Sequence, residues 1–196
     1  MGRLALVIAL AAARTAAADG IYFTERIGGA KVTNDLAAYT EGGPQFAVAL
    51  GMRADRWALE GFMGALIDDS FGDPERRQHV HGLAIYGLDL KYINPIADHF
   101  ELYLRGRMSA AMAQQGLQGW EGRGLGAGAG IQLKGKVRAL GFLWAPLFFT
   151  GIGPKVTGAL YLDTGYDFYR LHGPRPTAID AEITSVTVGW VIGSDF

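Results

Sequence analysis

The sequence contains no cysteine in its 196 residues. It therefore has no disulfide, no thiolate metal site and no lipidated N-terminal cysteine of the lipoprotein kind. Packing and hydrogen bonds must hold the chain. A charge excess is also missing: 18 Lys and Arg stand against 19 Asp and Glu, which leaves no basic footprint for nucleic acid. Beyond the N-terminal region no apolar run reaches the roughly 20 residues of a membrane-spanning helix. Yet 49% of the residues are hydrophobic and 29 are glycine. An apolar chain that cannot span lipid as helices is left with one other spanning structure, the closed β-barrel, because lipid offers backbone groups no partner.

The N-terminus sets the expected compartment. Arg3 precedes a short apolar run, Leu4 to Ala13, and Ala16-Ala17-Ala18 supplies the small residues that signal peptidase accepts. Residues 1–18 are read as a cleaved signal peptide and 19–196 as one outer-membrane barrel domain. Without Arg3 and Arg14 the remaining chain has 16 basic residues against 19 acidic, a net charge of −3.

A spanning strand alternates lipid-facing and lumen-facing side chains. Phe46, Val48, Leu50 and Met52 alternate with Gln45, Ala47, Ala49, Gly51 and Arg53. Trp57, Leu59, Met63, Ala65 and Ile67 alternate with Ala58, Glu60, Phe62 and Gly64, where Phe62 is an unusual lumenal residue. Ala84, Tyr86, Leu88, Leu90 and Tyr92 oppose His81, Gly87, Asp89 and Lys91, with Leu83 and Ile85 weakening the pattern. Phe100, Leu102, Leu104 and Met108 alternate with Glu101, Tyr103, Arg105, Arg107 and Ser109. Leu125, Ala127, Ala129, Ile131 and Leu133 alternate with four glycines, Gln132 and Lys134. The stretches 155–170 and 185–196 continue the pattern, whereas 21–33 alternates poorly because Glu25 shares a parity with Phe23 and Ile27.

The connections sort by length, as in barrels with short periplasmic turns and longer external loops. Those at 34–44, 68–79, 109–122 and 171–181 are long and polar, and those at 54–55 and 93–98 are short. The segment Val137 to Gly153 breaks the scheme, being apolar where a third short turn belongs. With Phe142, Trp144, Phe148 and Phe149 it is read as lying on the periplasmic membrane interface. The alternative is an extra hairpin bent at Ala145-Pro146, but its arms fall short of the 9 to 11 residues or so that a spanning strand needs. Eight strands are expected, with ten as the alternative. A soluble sandwich or lipocalin-like barrel would bury the large apolar face and wet the other, the reverse of this distribution.

Across nearly all of its length after residue 18, the pattern resembles the small Gram-negative outer-membrane barrels of the OmpA and OmpX type. The C-terminal TVGWVIGSDF carries the most specific part, because such proteins end in Phe after alternating apolar residues; Val188, Trp190, Ile192 and Phe196 match, while Ser194 departs from an aromatic. The resemblance implies a cell outer-membrane location and insertion from the periplasm, with periplasmic chaperones, the barrel-assembly machinery and outer-membrane lipids as partners. It implies no cofactor. It fixes no single activity, since fold does not dictate function.

A barrel this narrow is filled by side chains. Glu60, Asp89, Lys91, Glu101, Arg105, Arg107, Lys134, Asp163 and Asp167 are read as a lumenal network in which buried charges find partners. The functional reading is a non-enzymatic barrel with a structural, adhesion or surface-binding role carried by its loops. A narrow pore for small solutes is one alternative. A lipid A modifying enzyme is the other, with Asp68, Asp69, Ser70, His79, His81 and Ser109 near the outer rim. No compact His-x-Ser motif supports that enzyme, and two histidines fall below the usual metal-ligand count.

Overall fold

The computed structural model describes residues 20–68, 82–115, 118–135, 156–173 and 178–194. The expected signal peptide, the segment 137–153 with Phe142, Trp144, Phe148 and Phe149, and Phe196 lie outside the described residues, as do Asp69, Ser70, His79 and His81.

Eight strands form one closed antiparallel barrel: β1 (Gly20–Thr33), β2 (Gly42–Ala54), β3 (Trp57–Ile67), β4 (Gly82–Ala97), β5 (Phe100–Gln115), β6 (Gln118–Gly135), β7 (Val156–His172) and β8 (Ala178–Ser194). Each pairs with the next in sequence, and β8 pairs back onto β1. β6 and β7 pair directly along their length, and the described residues close a barrel of eight strands rather than ten.

The register around the wall fixes its geometry. Following partners from Tyr22 leads through Gly51, Glu60, Asp89, Arg107, Gly126, Asp167 and Ile183, and back to β1 at Val32. One circuit thus climbs ten residues along β1, the stagger that closure requires of strands tilted by roughly 35–45°. Two ends follow. The turn end carries the turns Asp55-Arg56, with Asp55 at φ 52°, and Asp98-His99. The opposite, loop end carries a short 3-10 helix, η1 (Asn34–Ala38).

Several boundaries differ from the sequence reading. The loop expected at 109–122 is mostly ladder, since β5 reaches Gln115 and β6 starts at Gln118. Small residues sustain the alternation there: Ala111 and Ala113 point inward and are buried, while Met112 points outward. The loop expected at 171–181 is shortened in the same way by β7 and β8. β4 also runs past Asn94-Pro95 to Ala97, with a register shift between Pro95 and Ala97. An irregularity in the ladder is where a residue without an N–H is tolerated. β1, despite Glu25, alternates properly, with Tyr22, Thr24 and Arg26 buried and Ile21 and Ile27 exposed.

The outer wall is an apolar belt on every strand. Leu50, Met63, Leu88, Leu104, Leu125, Leu162 and Val188 are all exposed, Leu104 and Leu125 each at 65%. The interior is polar only in part, which corrects the expectation of a polar lumen throughout. Toward the loop end it is an apolar plug of Val32, Leu36, Leu66, Leu83, Ile85, Trp120, Leu171, Ile179 and Ile183 with smaller neighbours. Leu83 and Ile85, the residues that weakened the alternation of β4, belong to this plug.

Candidate functional site: the filled lumen

Three layers of inward side chains fill the barrel. Nearest the turn end, Arg53 grips Glu101 with two bonds of 3.0 Å, and the Lys134 ammonium lies 2.7 Å from the same carboxylate. A planar guanidinium matches a carboxylate in this two-pronged way.

The middle layer is a single connected network. Asp89 is its hub: Arg107 donates to both of its oxygens at 2.7 and 2.9 Å, Arg26 at 2.9 Å and Arg105 at 3.4 Å. Arg26 also binds Glu60, which in turn takes Lys91 and, at 2.9 Å, the Tyr22 hydroxyl. Arg105 bridges to Asp163 at 2.9 Å, and Arg107 to Asp167 at 3.1 Å. Tyr103 donates to Asp163 at 2.7 Å. The cations Arg26, Lys91, Arg105 and Arg107 face the anions Glu60, Asp89, Asp163 and Asp167, so this layer is neutral. Every one of these side chains is buried. Burying charge is costly unless it is paired and hydrogen-bonded, and here the pairing is mutual.

Glycines of β6 make the room. A Cβ at Gly124 or Gly130 would run into the ring of Tyr169 or Tyr103, and one at Gly126 would strike the Asp167 carboxylate. At Gly128 it would stand 2.6 Å from Arg105 Nη2. The bare face of β6 is therefore the seat for long side chains from β5 and β7.

At the loop end, η1 folds over the mouth. Leu36 is fully buried, and Tyr39 packs against Trp120 with ring centroids 5.2 Å apart. The segment is tied down at several points. Thr40 donates to Asp68 at 2.9 Å, the Val32 amide donates to the Glu41 carbonyl at 3.1 Å, and the Asp180 amide donates to Asp35 at 3.0 Å.

Of the residues considered for catalysis, Asp68 and Ser109 are described. Asp68 accepts from Thr40, and the Ser109 hydroxyl lies 2.9 Å from that of Tyr169, so each is engaged in packing the interior. Val188 and Trp190 are placed on the outer face of β8, Val188 exposed and Trp190 half-buried, with Ile192 half-buried beyond them. Arg26 joins the network without having been expected there, and Arg53 pairs with Glu101, a partnership that alternation alone does not predict. The parity of Tyr22, Thr24 and Arg26 was the signal for the first, obscured by Glu25 one residue earlier.

No family model and no curated protein matches the chain. Among solved structures, Neisserial surface protein A (NspA) superposes with a TM-score of 0.55 at 15% identity, over 90% of this chain and 97% of that one. The fold is that of the small outer-membrane barrels of the OmpA and OmpX type. Ail, the attachment invasion locus protein of Yersinia pestis, is also matched, at 11% identity and a TM-score of 0.46, over 88% of this chain and 97% of that one.

Proposed function

We propose that this chain is an integral outer-membrane barrel, exported with removal of residues 1–18, whose packed lumen is a structural core and whose loop end carries a surface-binding or adhesive role. One observation carries the reading: the polarity is inverted. Every strand turns large apolar side chains outward, Ile27, Leu50, Met63, Leu88, Leu104, Leu125, Leu162 and Val188 among them, while the middle layer seals four cations and four anions within. Such a wall suits hydrocarbon, whereas in water it would be one continuous apolar patch far beyond what soluble proteins expose. Trp57, Tyr92 and Phe100 at the turn end and Phe46 and Phe168 toward the other end support two interfacial girdles. The turn end then faces the periplasm and the loop end faces outward. The likeness to NspA, by its name a surface protein, fits the same reading.

The neutral network and the apolar plug support a closed lumen with no enzymatic task. Electrophoresis of unheated against boiled protein, with fractionation of the cell envelope, tests the membrane placement: a mobility shift and recovery with the outer membrane are expected. A single mobility together with recovery in the soluble periplasm would overturn it. Planar-bilayer recording tests the closed lumen, because large stable conductance steps from pure protein would promote the pore. Deacylated lipid A appearing on incubation with the pure protein would promote the enzyme.

A further inference from the structure

We propose that the outer wall holds one anionic glycerophospholipid in a defined seat at the turn end, with its phosphate on Arg56 and one acyl chain in a groove climbing from β4 to β8. This deepens the membrane reading above and rests on it.

The groove is formed by register and residue size. Trp57, Tyr92, Leu104, Ala129, Thr164 and Val186 are successive cross-strand partners, one row that crosses β3 to β8 on the outer face. Ala129 and Thr164 are smaller than Leu102, Leu104, Ile131 and Leu162 around them, so the wall dips along the row and leaves a depression of about 730 Å³. The Thr164 hydroxyl donates to the Ser185 carbonyl at 3.2 Å, which satisfies its polarity within the wall. From Tyr92 to Val186 the row takes four inter-strand steps of about 4.8 Å, roughly 19 Å in all. That is the reach of one extended acyl chain, and it runs across the tilted strands, leaning instead of standing upright.

The lower mouth has the complementary chemistry. Tyr92 and Asn94 line it, and Trp57 packs edge-on against Tyr92 with centroids 5.0 Å apart. The exposed Arg56 guanidinium is held beside them, Nη1 donating to the Tyr92 hydroxyl at 3.4 Å. A guanidinium fork matches phosphate oxygens, and aromatic rings with polar edges sit at headgroup depth. Because the mouth is at the turn end, the lipid comes from the periplasmic leaflet. A headgroup with net negative charge suits Arg56 better than a zwitterion, whose ammonium would meet a like charge.

The test uses the full chain, folded in detergent micelles and titrated with dioleoyl phosphatidylglycerol under native mass spectrometry. Phosphatidylethanolamine and inorganic phosphate serve as parallel probes. One retained phosphatidylglycerol per barrel is expected, resistant to inorganic phosphate and preferred over phosphatidylethanolamine. Arg56→Gln should weaken retention by about tenfold, as loss of a charged hydrogen bond implies. Ala129→Trp, which fills the groove from outside the core, should abolish it, while Leu125→Trp elsewhere on β6 should leave it intact. Equal retention by all variants, equal affinity for both lipids, or binding of several lipids without saturation would overturn the seat. The boiled-versus-unheated mobility of each variant separates the two levels: a normal shift with indifferent lipid binding sinks the seat alone. A wild-type chain that shows no shift sinks the membrane reading with it.

Discussion

The Arg107 guanidinium carbon lies 4.0 Å from the centroid of the Phe62 ring. That contact explains an aromatic on the lumenal face of β3, since the ring gives a buried cation a π face on the side its two carboxylates leave open. Phe62→Ala is expected to destabilise the barrel by about 3–5 kcal/mol, the range for emptying a core aromatic. Phe62→Tyr should cost far less. Urea unfolding in lipid vesicles, followed by tryptophan emission, measures both.

Asp89 accepts from three arginines, and removing it strands them. Asp89→Ala should cost about 3–5 kcal/mol, the usual penalty for breaking a buried ion pair from one side. The variant should lose its unheated mobility at a lower temperature than the parent. A variant as heat-resistant as the parent would show that the hub is dispensable.

Glu25 puts a carboxyl on the outer face of β1, between its cross-strand partners Val48 and Trp190. Lipid-facing charge is destabilising in a depth-dependent way. Glu25→Val should therefore stabilise the inserted barrel by about 1–2 kcal/mol, somewhat less than the cost of a midplane Arg or Lys. A decrease in the urea midpoint would show that Glu25 serves the fold.

Gly126 lies where the Asp167 carboxylate needs room. Gly126→Leu should block closure between β6 and β7, giving protein that fails to shift on gels and is cleaved by added protease. Gly106, whose Cβ position has nothing within 4 Å, is the matched control, and Gly106→Ala should fold normally.

Leu36 and Trp120 seal the loop end. Leu36→Asp should release η1 from the mouth while leaving the wall intact, read as faster amide exchange at 34–41 with an unchanged gel shift.

The wall was legible in the sequence because lipid and lumen impose opposite demands on neighbouring residues. The runs Phe46 to Met52 and Phe100 to Met108 therefore alternate, with Gly106 as the one lipid-facing position in them that carries no side chain. The loop-end ladders were not legible, since above the belt that contrast fades and alternation between Ala111, Met112 and Ala113 is too faint to separate strand from loop. The plug was hidden for a related reason. Leu83 and Ile85 break a two-sided rule that assumes a polar lumen, and only the register brings them beside Leu66, Ile183 and Trp120. The network's membership, Arg26 above all, depended on β1 finding its place between β2 and β8.

The ten-residue climb of the register constrains assembly as well as shape. Inward residues must meet inward residues at every seam, so a closing barrel chooses only among even offsets, and the neighbouring choices are eight and twelve. An offset of eight narrows the bore, where side chains already press against the bare face of β6 at Gly124, Gly126, Gly128 and Gly130, and an offset of twelve widens it and draws Arg26 away from Glu60 and Asp89. A one-residue slip within a hairpin is worse, turning a whole strand's charges onto lipid. The buried ions thus act as a proofreading device for seam alignment, rejecting misregistered barrels that the uniform apolar exterior would accept without distinction.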